Sequence, residues 1–164
     1  MAGISGILTG AVIAKLKATD DGVNARIGAI RTGDATLAAP GVRSVAALNA
    51  SVELSEKSGH AHYPLLLVYC DKMSNSLKEK FRRFSGKAHL VVEVRHSEDL
   101  LDAIDTGTQV YVDAVCALLD DSRGDWGGGS YYAGGYDVSY EPVVRGGKNF
   151  LQRAKVGFEV EISL

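Results

Sequence analysis

Apolar residues recur with a helical period over the first thirty positions of the chain. They appear at every fourth residue from Ile4 to Leu16, and the pattern resumes from Val23 to Ile30. This spacing places them on one face of a helix. The polar residues 19–22 lie between the two stretches and act either as a break or as a new N-cap. The pattern therefore predicts an N-terminal helical segment over residues 1–31, as one long helix or as two short ones.

Residues 32–62 show no sustained period. Glycine, proline and small residues punctuate this stretch, and they predict an irregular arm or loop. Val52 and Leu54 alternate with polar neighbours, which favours a short strand somewhere between Val45 and Leu54. Long irregular segments in compact domains are often functional or disordered.

Four later stretches have the patterns of β-strands. Leu65–Cys70 is a continuous apolar run, typical of a strand that is buried on both faces. Ala88–Arg95 and a stretch from Tyr136 towards Arg145 alternate apolar with polar residues, as does Phe150–Ser163. One face of that last strand carries the residues Ala154, Val156, Phe158, Val160 and Ile162. Gly146-Gly147 predicts a hairpin between the last two strands, with a turn longer than two residues.

The main helix is predicted between the second and third of these strands. Ser97 is a favourable N-cap, and Glu98 and Asp99 suit the positive end of the helix dipole. An apolar stripe continues to Leu118, and the helix is expected to end near Asp121 with a distortion at Gly107. Six of the fourteen residues in 122–135 are glycine, so this segment is predicted to be a loop.

These elements predict an α+β fold with a mainly antiparallel sheet of four to five strands and helices packed on one face. The length of 164 residues is typical of a single domain spanning 1–164. Within it, residues 1–31 form the helical segment, 32–62 the irregular arm, and 63–164 the sheet with the main helix.

Charge and composition exclude several classes of protein. Eighteen basic and 20 acidic residues give a net charge of −2, which does not favour a general nucleic-acid binder. The longest apolar run, 64–70, is too short to cross a membrane, and no secretory signal is expected. Cys70 and Cys116 form no disulfide framework, which fits a reducing compartment.

The search for catalytic or metal-binding residues yields little. His60 and His62 would share a face of a strand near Cys70, but no Cys-x-x-Cys or His-Glu-x-x-His motif accompanies them. The glycine-rich loop lacks the lysine of a phosphate-binding loop, and no nucleophile elbow is present. We therefore expect a protein that is not an enzyme and has no catalytic residue, cofactor or metal. The alternative is a small enzyme with a site near His89, His96 and Asp99.

Aromatic residues cluster in and beside the glycine-rich loop. The candidate interface consists of Trp126, Tyr131, Tyr132 and Tyr136, with Tyr140 close behind. Tyrosine and tryptophan are favoured at protein interfaces because they combine a large apolar area with a polar tip. They would serve equally to close the loop over the core. An adaptor module that holds one partner through this loop is a further alternative.

A basic patch lies between the first two strands. It comprises Lys78, Lys80, Arg82, Arg83 and Lys87, and Phe81 and Phe84 are expected to anchor it to the domain. Such a run of charges is either a solvated face or a surface that meets phosphate or an acidic protein.

The order of motifs in the second half resembles a known family. It runs through Tyr63–Val68, Val91–Val94, Tyr111–Val115, Gly135–Val138 and Phe158–Ile162. This series is similar to the small tail terminator and tail completion proteins of long-tailed bacteriophages. The resemblance implies an α+β domain that assembles as a homo-oligomeric ring, commonly a hexamer, at the head-proximal end of the tail tube. There the ring stops tube growth and provides the surface to which the head docks.

The resemblance also implies the partners of the chain. They are further copies of itself, the tail tube protein and a head-side connector or stopper protein, with DNA passing through the lumen without sequence-specific binding. No membrane is involved, and the protein would be part of the virion tail or neck after assembly in the host cytoplasm. Under this interpretation the basic patch faces either the DNA passage or an acidic partner ring. Another neck protein, a connector or stopper, is the alternative within the same class.

Overall fold

The computed structural model describes residues 3–37, 39–59 and 62–164 of the chain. It begins with two helices, α1 at Ile4–Lys17 and α2 at Val23–Gly33. Gly22 precedes α2, and a Cβ atom at this position would lie 2.0 Å from the carbonyl oxygen of Ala18. Only glycine therefore fits the tight connection, which resolves the N-terminal segment into two helices.

The segment after α2 contains two short elements, a strand β1 at Ser44–Ala47 and a helix α3 at Val52–Lys57. The strand predicted between Val45 and Leu54 is therefore confirmed at its start and wrong at its end. Ser51 caps α3, because its side chain accepts a hydrogen bond of 3.5 Å from the backbone amide of Leu54.

An eight-stranded sheet forms the centre of the fold, which corrects the expected four to five strands. The remaining strands are β2 at Leu65–Asn75, β3 at Ser85–Glu98, β4 at Gly124–Gly127, β5 at Ser130–Tyr132, β6 at Asp137–Tyr140, β7 at Val144–Gly146 and β8 at Asn149–Ser163. The strand order is β1-β2-β3-β8-β5-β4, and β6 and β7 also pair with β8. The sheet is mixed, since β1 runs parallel to β2 while the other pairs are antiparallel.

The length of β8 explains the additional strands. One edge of its fifteen residues pairs with the whole of β3. The other edge pairs in succession with β7, β6 and β5. The segment 122–135 that was predicted to be a loop is therefore largely the β4–β5 hairpin. Gly146 pairs with Asn149, so the β7–β8 turn has two residues and not more.

Helices lie on both faces of the sheet, which corrects the expectation of one face. The core lies between one face and the helices α1, α2 and α4, the last at Leu101–Asp120. On β3, Val94 points into this core. The next residue, Arg95, therefore points to the opposite face, where it donates a hydrogen bond of 3.0 Å to Ser55 of α3.

The start of α4 also differs from the prediction. Ser97 and Glu98 belong to β3, where they pair with Leu151 and Phe150 of β8. Strand pairing thus takes precedence over the capping signal, and α4 begins at Leu101 without a side-chain cap. Within the described ranges no helix has the length and apolar content that crossing a bilayer requires.

Candidate functional site

The β2–β3 hairpin ends in a closely held loop. Residues 76–84, here called the hairpin tip, connect Asn75 to Ser85. The Asn75 side-chain oxygen accepts hydrogen bonds from the backbone amides of Leu77 at 3.3 Å and Ser85 at 3.0 Å. The amide nitrogen of Asn75 donates to the Arg83 carbonyl at 3.1 Å. The side chain of a single residue, Asn75, thus holds both ends of the loop.

The two phenylalanines of the hairpin tip differ in burial. Phe84 is half-buried against the core, and its backbone bonds to that of Leu164 at 2.8 and 3.1 Å. Phe81 has a relative exposure of 104%, and Leu77 one of 62%. The expected anchoring is therefore confirmed for Phe84 and wrong for Phe81. Phe81 and Leu77 instead present an apolar surface to the solvent.

Basic side chains surround this apolar surface. All five candidates are exposed, namely Lys78, Lys80, Arg82, Arg83 and Lys87. Arg82 lies 3.6 Å from Glu79 within the hairpin tip. Lys87, on β3, lies 3.0 Å from the Glu159 carboxylate of β8, and this hydrogen bond raises the pKa of the Lys87 amine. The hairpin tip therefore combines exposed apolar residues with an excess of positive charge.

A groove of about 600 Å³ lies beside the hairpin tip. Lys78 and Lys87 line one part of it, and Tyr131 of β5 lines another. Glu159 and Glu161 of β8 also border it. The structure thus brings part of the basic patch together with one of the aromatic candidates, although 44 positions separate Lys87 from Tyr131.

The four aromatic candidates do not form one exposed surface. Tyr132 is fully buried, and its ring lies 5.6 Å from that of Trp126 and 5.4 Å from that of Phe158. Trp126 is half-buried, as is Tyr136, which donates a hydrogen bond of 3.4 Å to Asp120. Only Tyr131 is exposed among the four candidates. A direct partner contact therefore does not fit Tyr132, whose ring belongs to the core.

The residues of the alternative enzyme site are not brought together. His89 and His96 lie on β3 with an odd separation, so their side chains point to opposite faces of the sheet. His89 lies 2.5 Å from Asp71, whereas the ring of His96 lies 5.1 Å from that of Tyr111 on α4. Asp99 is exposed beyond the end of β3. The strand separates the two histidines by about 23 Å.

The remaining chemical candidates have ordinary environments. His62 is exposed, and His60 lies outside the described residues. Across 3–37, 39–59 and 62–164, no three histidine, cysteine or acidic side chains are grouped so that they could hold a metal ion. Burial raises the pKa of the Cys116 thiol to about 11, so at neutral pH it is protonated and a poor nucleophile.

The fold is similar to that of a solved virion component. The matching chain belongs to a structure described as the virion of a native gene transfer agent particle. The TM-score is 0.52 at 12% sequence identity, and the match covers 96% of this chain and 95% of the other. Neither a protein-family model nor a curated protein sequence matches the chain.

The coverage of this match shows that the likeness concerns the whole fold. Both N-terminal helices, the arm, the sheet and α4 fall within it, because 96% of the chain is included. At 12% identity the likeness is one of backbone architecture. The side chains of the hairpin tip and the groove are therefore features of this chain, to be interpreted from its own surface.

A second charged surface was missed by the sequence analysis. Residues 98–121 contain seven acidic residues and neither lysine nor arginine. At the start of this stretch, Leu100 and Leu101 are 64% and 54% exposed beside the exposed side chains of Asp99, Asp102 and Asp105. We call these five residues the acidic patch. The long one-sided charge run is the signal that would have revealed it.

Proposed function

We propose that this chain is a structural component of a phage-like virion, and that it acts as a tail terminator. The observation that carries the proposal is the fold likeness to a chain of a gene transfer agent virion over nearly the full length of both chains. The family resemblance of the sequence motifs supports the same class. In this role the chain forms a homo-oligomeric ring at the head-proximal end of the tail tube, where it stops tube growth and receives the head.

The surface of the chain supports a role in assembly. Phe81 and Leu77 of the hairpin tip, and Leu100 and Leu101 of the acidic patch, are each more than half exposed. Exposed apolar groups that are ringed by charge are typical of protein–protein contacts. A structural protein of a virion meets neighbours on several sides, and these residues supply more than one surface for them.

We propose a non-enzymatic role for the same chain. The histidines of the alternative enzyme site support it by their positions, since His89 and His96 face opposite sides of the sheet. In the proposed ring, DNA passes through the lumen without sequence-specific contacts. The modest net charge of −2 suits a passage to which DNA does not adhere. The tail tube protein and a head-side connector or stopper would be its neighbours.

The test is to assemble tail tubes from the tail tube protein encoded with this chain, with and without the purified chain. Electron microscopy then gives the tube lengths and the location of added density. We expect a cap at one tube end and tubes that stop growing once capped. Density found only on head portals would instead identify a connector or stopper. Tubes that grow equally long and remain uncapped would refute the proposed function.

A further inference from the structure

The hairpin tip and the acidic patch have complementary surfaces. The tip exposes Phe81 and Leu77 among four cations and one acid. The patch exposes Leu100 and Leu101 among three aspartates. In the described part of the chain, no lysine or arginine nitrogen lies within 4.0 Å of the carboxylates of these aspartates. The patch therefore offers apolar area with unpaired negative charge, and the tip offers apolar area with an excess of three positive charges, since only Glu79 opposes its four cations.

The two surfaces lie at opposite ends of the molecule. The hairpin tip precedes Ser85, the first residue of β3, and the acidic patch follows Glu98, its last residue. Thirteen steps along an extended strand correspond to about 43 Å. β3 is paired with β8 from Ser85 to Glu98, so it is held extended over this whole length. The tip of one chain consequently has no route to its own patch.

We propose that the hairpin tip of one copy docks on the acidic patch of the next copy. Phe81 and Leu77 pack against Leu100 and Leu101, and the cations of the tip face Asp99, Asp102 and Asp105. This inference rests on the proposed function, because it supplies the contact between neighbouring subunits of the ring. A contact between two different surfaces is heterologous, and repeating it generates a closed ring when the rotation between copies closes.

Both parts of the contact have a physical role. Phe81 becomes buried on docking and supplies most of the binding energy, since hot spots are enriched in large side chains that become fully desolvated. The opposed charges select the correct pairing and prevent tip-to-tip or patch-to-patch association, because like charges at close range repel. Added salt should therefore weaken the assembly without abolishing it.

Charge reversal tests the proposed contact, and a mixture of the two reversed variants serves as the internal control. Variant A carries Lys78→Glu, Lys80→Glu and Arg82→Glu, and variant B carries Asp99→Lys, Asp102→Lys and Asp105→Lys. Variant A then has two negative surfaces and variant B two positive ones. Each variant alone should need at least a tenfold higher concentration than the wild type to assemble. An equal mixture should assemble again, with A and B alternating, because every contact in it joins opposite charges.

Two further variants separate the contact from general effects. Phe81→Ser should weaken assembly at least tenfold with an unchanged melting temperature, since the side chain is fully exposed in the single chain. A matched control reverses three other exposed lysines, Lys17, Lys57 and Lys148, and should assemble like the wild type. Native mass spectrometry gives the stoichiometry in each case.

The outcomes distinguish this inference from the proposed function. If the wild type assembles and caps tubes while A, B and Phe81→Ser do so equally well, the docking inference is wrong and the proposed function stands. If variant A assembles normally but loses retention on double-stranded DNA, the tip contacts nucleic acid and the inference is likewise wrong. If the wild type neither assembles nor caps tubes, both proposals fail.

Discussion

Gly107 of α4 packs closely against His96 of β3. A Cβ atom at this position would lie 2.7 Å from Nε2 of His96, well inside normal contact distance. The sequence predicted a helix distortion here, yet α4 continues through Gly107. The glycine is needed for packing between helix and strand. A pattern confined to the helix could not reveal this, because the neighbour is a histidine eleven residues earlier in the chain.

Gly107→Ala is therefore expected to destabilise the fold, although alanine is the better helix former. Forcing a methyl group against the His96 ring should lower the free energy of unfolding by about 1–3 kcal/mol. Chemical denaturation measures this difference. Gly28→Ala is the matched control, since Gly28 is exposed on α2 with open space around its Cβ position. It should gain up to about 1 kcal/mol. Equal changes in the free energy of unfolding at both positions would show that the contact with His96 does not prevent a side chain at position 107.

His96 should make the stability of the protein depend on pH. Burial lowers the pKa of His96, and this effect exceeds the opposing effect of Glu98, whose carboxylate lies 3.2 Å away. In the unfolded chain a histidine titrates near ~6.5. As the pH falls below that value, the unfolded chain takes up a proton that the folded chain resists, so the free energy of unfolding decreases.

The variant His96→Gln removes this titration. Its free energy of unfolding, measured by denaturation from pH 7 down to pH 5, should fall less steeply than that of the wild type. The difference between the two slopes should correspond to the uptake of up to one proton on unfolding. Other groups that titrate in this range contribute equally to both proteins and cancel in the comparison. Parallel curves for the two proteins would contradict the assigned role of His96.

At the level of elements, a buried arginine holds the arm against the sheet. Arg95 is fully buried and donates hydrogen bonds to Ser55 of α3 and to the backbone carbonyl of Ala50. It also lies 2.9 Å from the Glu93 carboxylate. Arg153 is 3.9 Å from the other oxygen of that carboxylate. Residues 50–55 are thus attached to the face of the sheet opposite the main core.

Arg95→Ala should release this attachment and leave the Glu93 carboxylate buried with a poorer partner. Breaking a buried ion pair from one side costs about 3–5 kcal/mol. We expect a loss of about that size in the free energy of unfolding and faster amide hydrogen exchange in residues 50–57. Arg145→Ala, at an exposed position on β7, should leave both quantities unchanged. Unchanged exchange in residues 50–57 of Arg95→Ala would show that the arm is held by other contacts.

Sequence patterns predict well those elements whose buried face follows from the spacing of their own apolar residues. The alternation of β8 placed Ala154 to Ile162 correctly in the core, and the apolar run of β2 marked a buried strand. Short strands such as β4 to β7 lack such a period, because their place is decided by pairing along β8. The burial of the Glu93–Arg95 pair was likewise not predictable from the sequence, because charged residues at alternate positions of a strand normally indicate a solvated face.

The sequence predicted the charge of the candidate site but not which of its aromatic side chains are exposed. The basic run at 78–87 was visible as composition, but its exposure beside Phe81 depends on the loop conformation that Asn75 stabilises. Burial of Tyr132 depends on its contact with Phe158, which lies in a distant part of the sequence. Tertiary contacts thus decide which of the aromatic candidates face the solvent.

The whole molecule has an uneven distribution of charge despite its net charge of −2. Residues 71–87 contain six cationic and two acidic residues, whereas 98–121 contain seven acidic residues and no lysine or arginine. The hairpin tip in the first group and the acidic patch at the start of the second lie beyond opposite ends of β3. Molecules with opposite charge at their two ends favour head-to-tail association, and in a ring each copy would neutralise the next.

Ring assembly is tested most directly by the native mass of the purified chain over a range of concentrations, alone and mixed with tail tubes. We expect a closed oligomer of one defined stoichiometry, with six copies implied by the family resemblance, that weakens as salt is added. A chain that remains a monomer at every concentration, both alone and in the presence of tail tubes, would contradict this expectation.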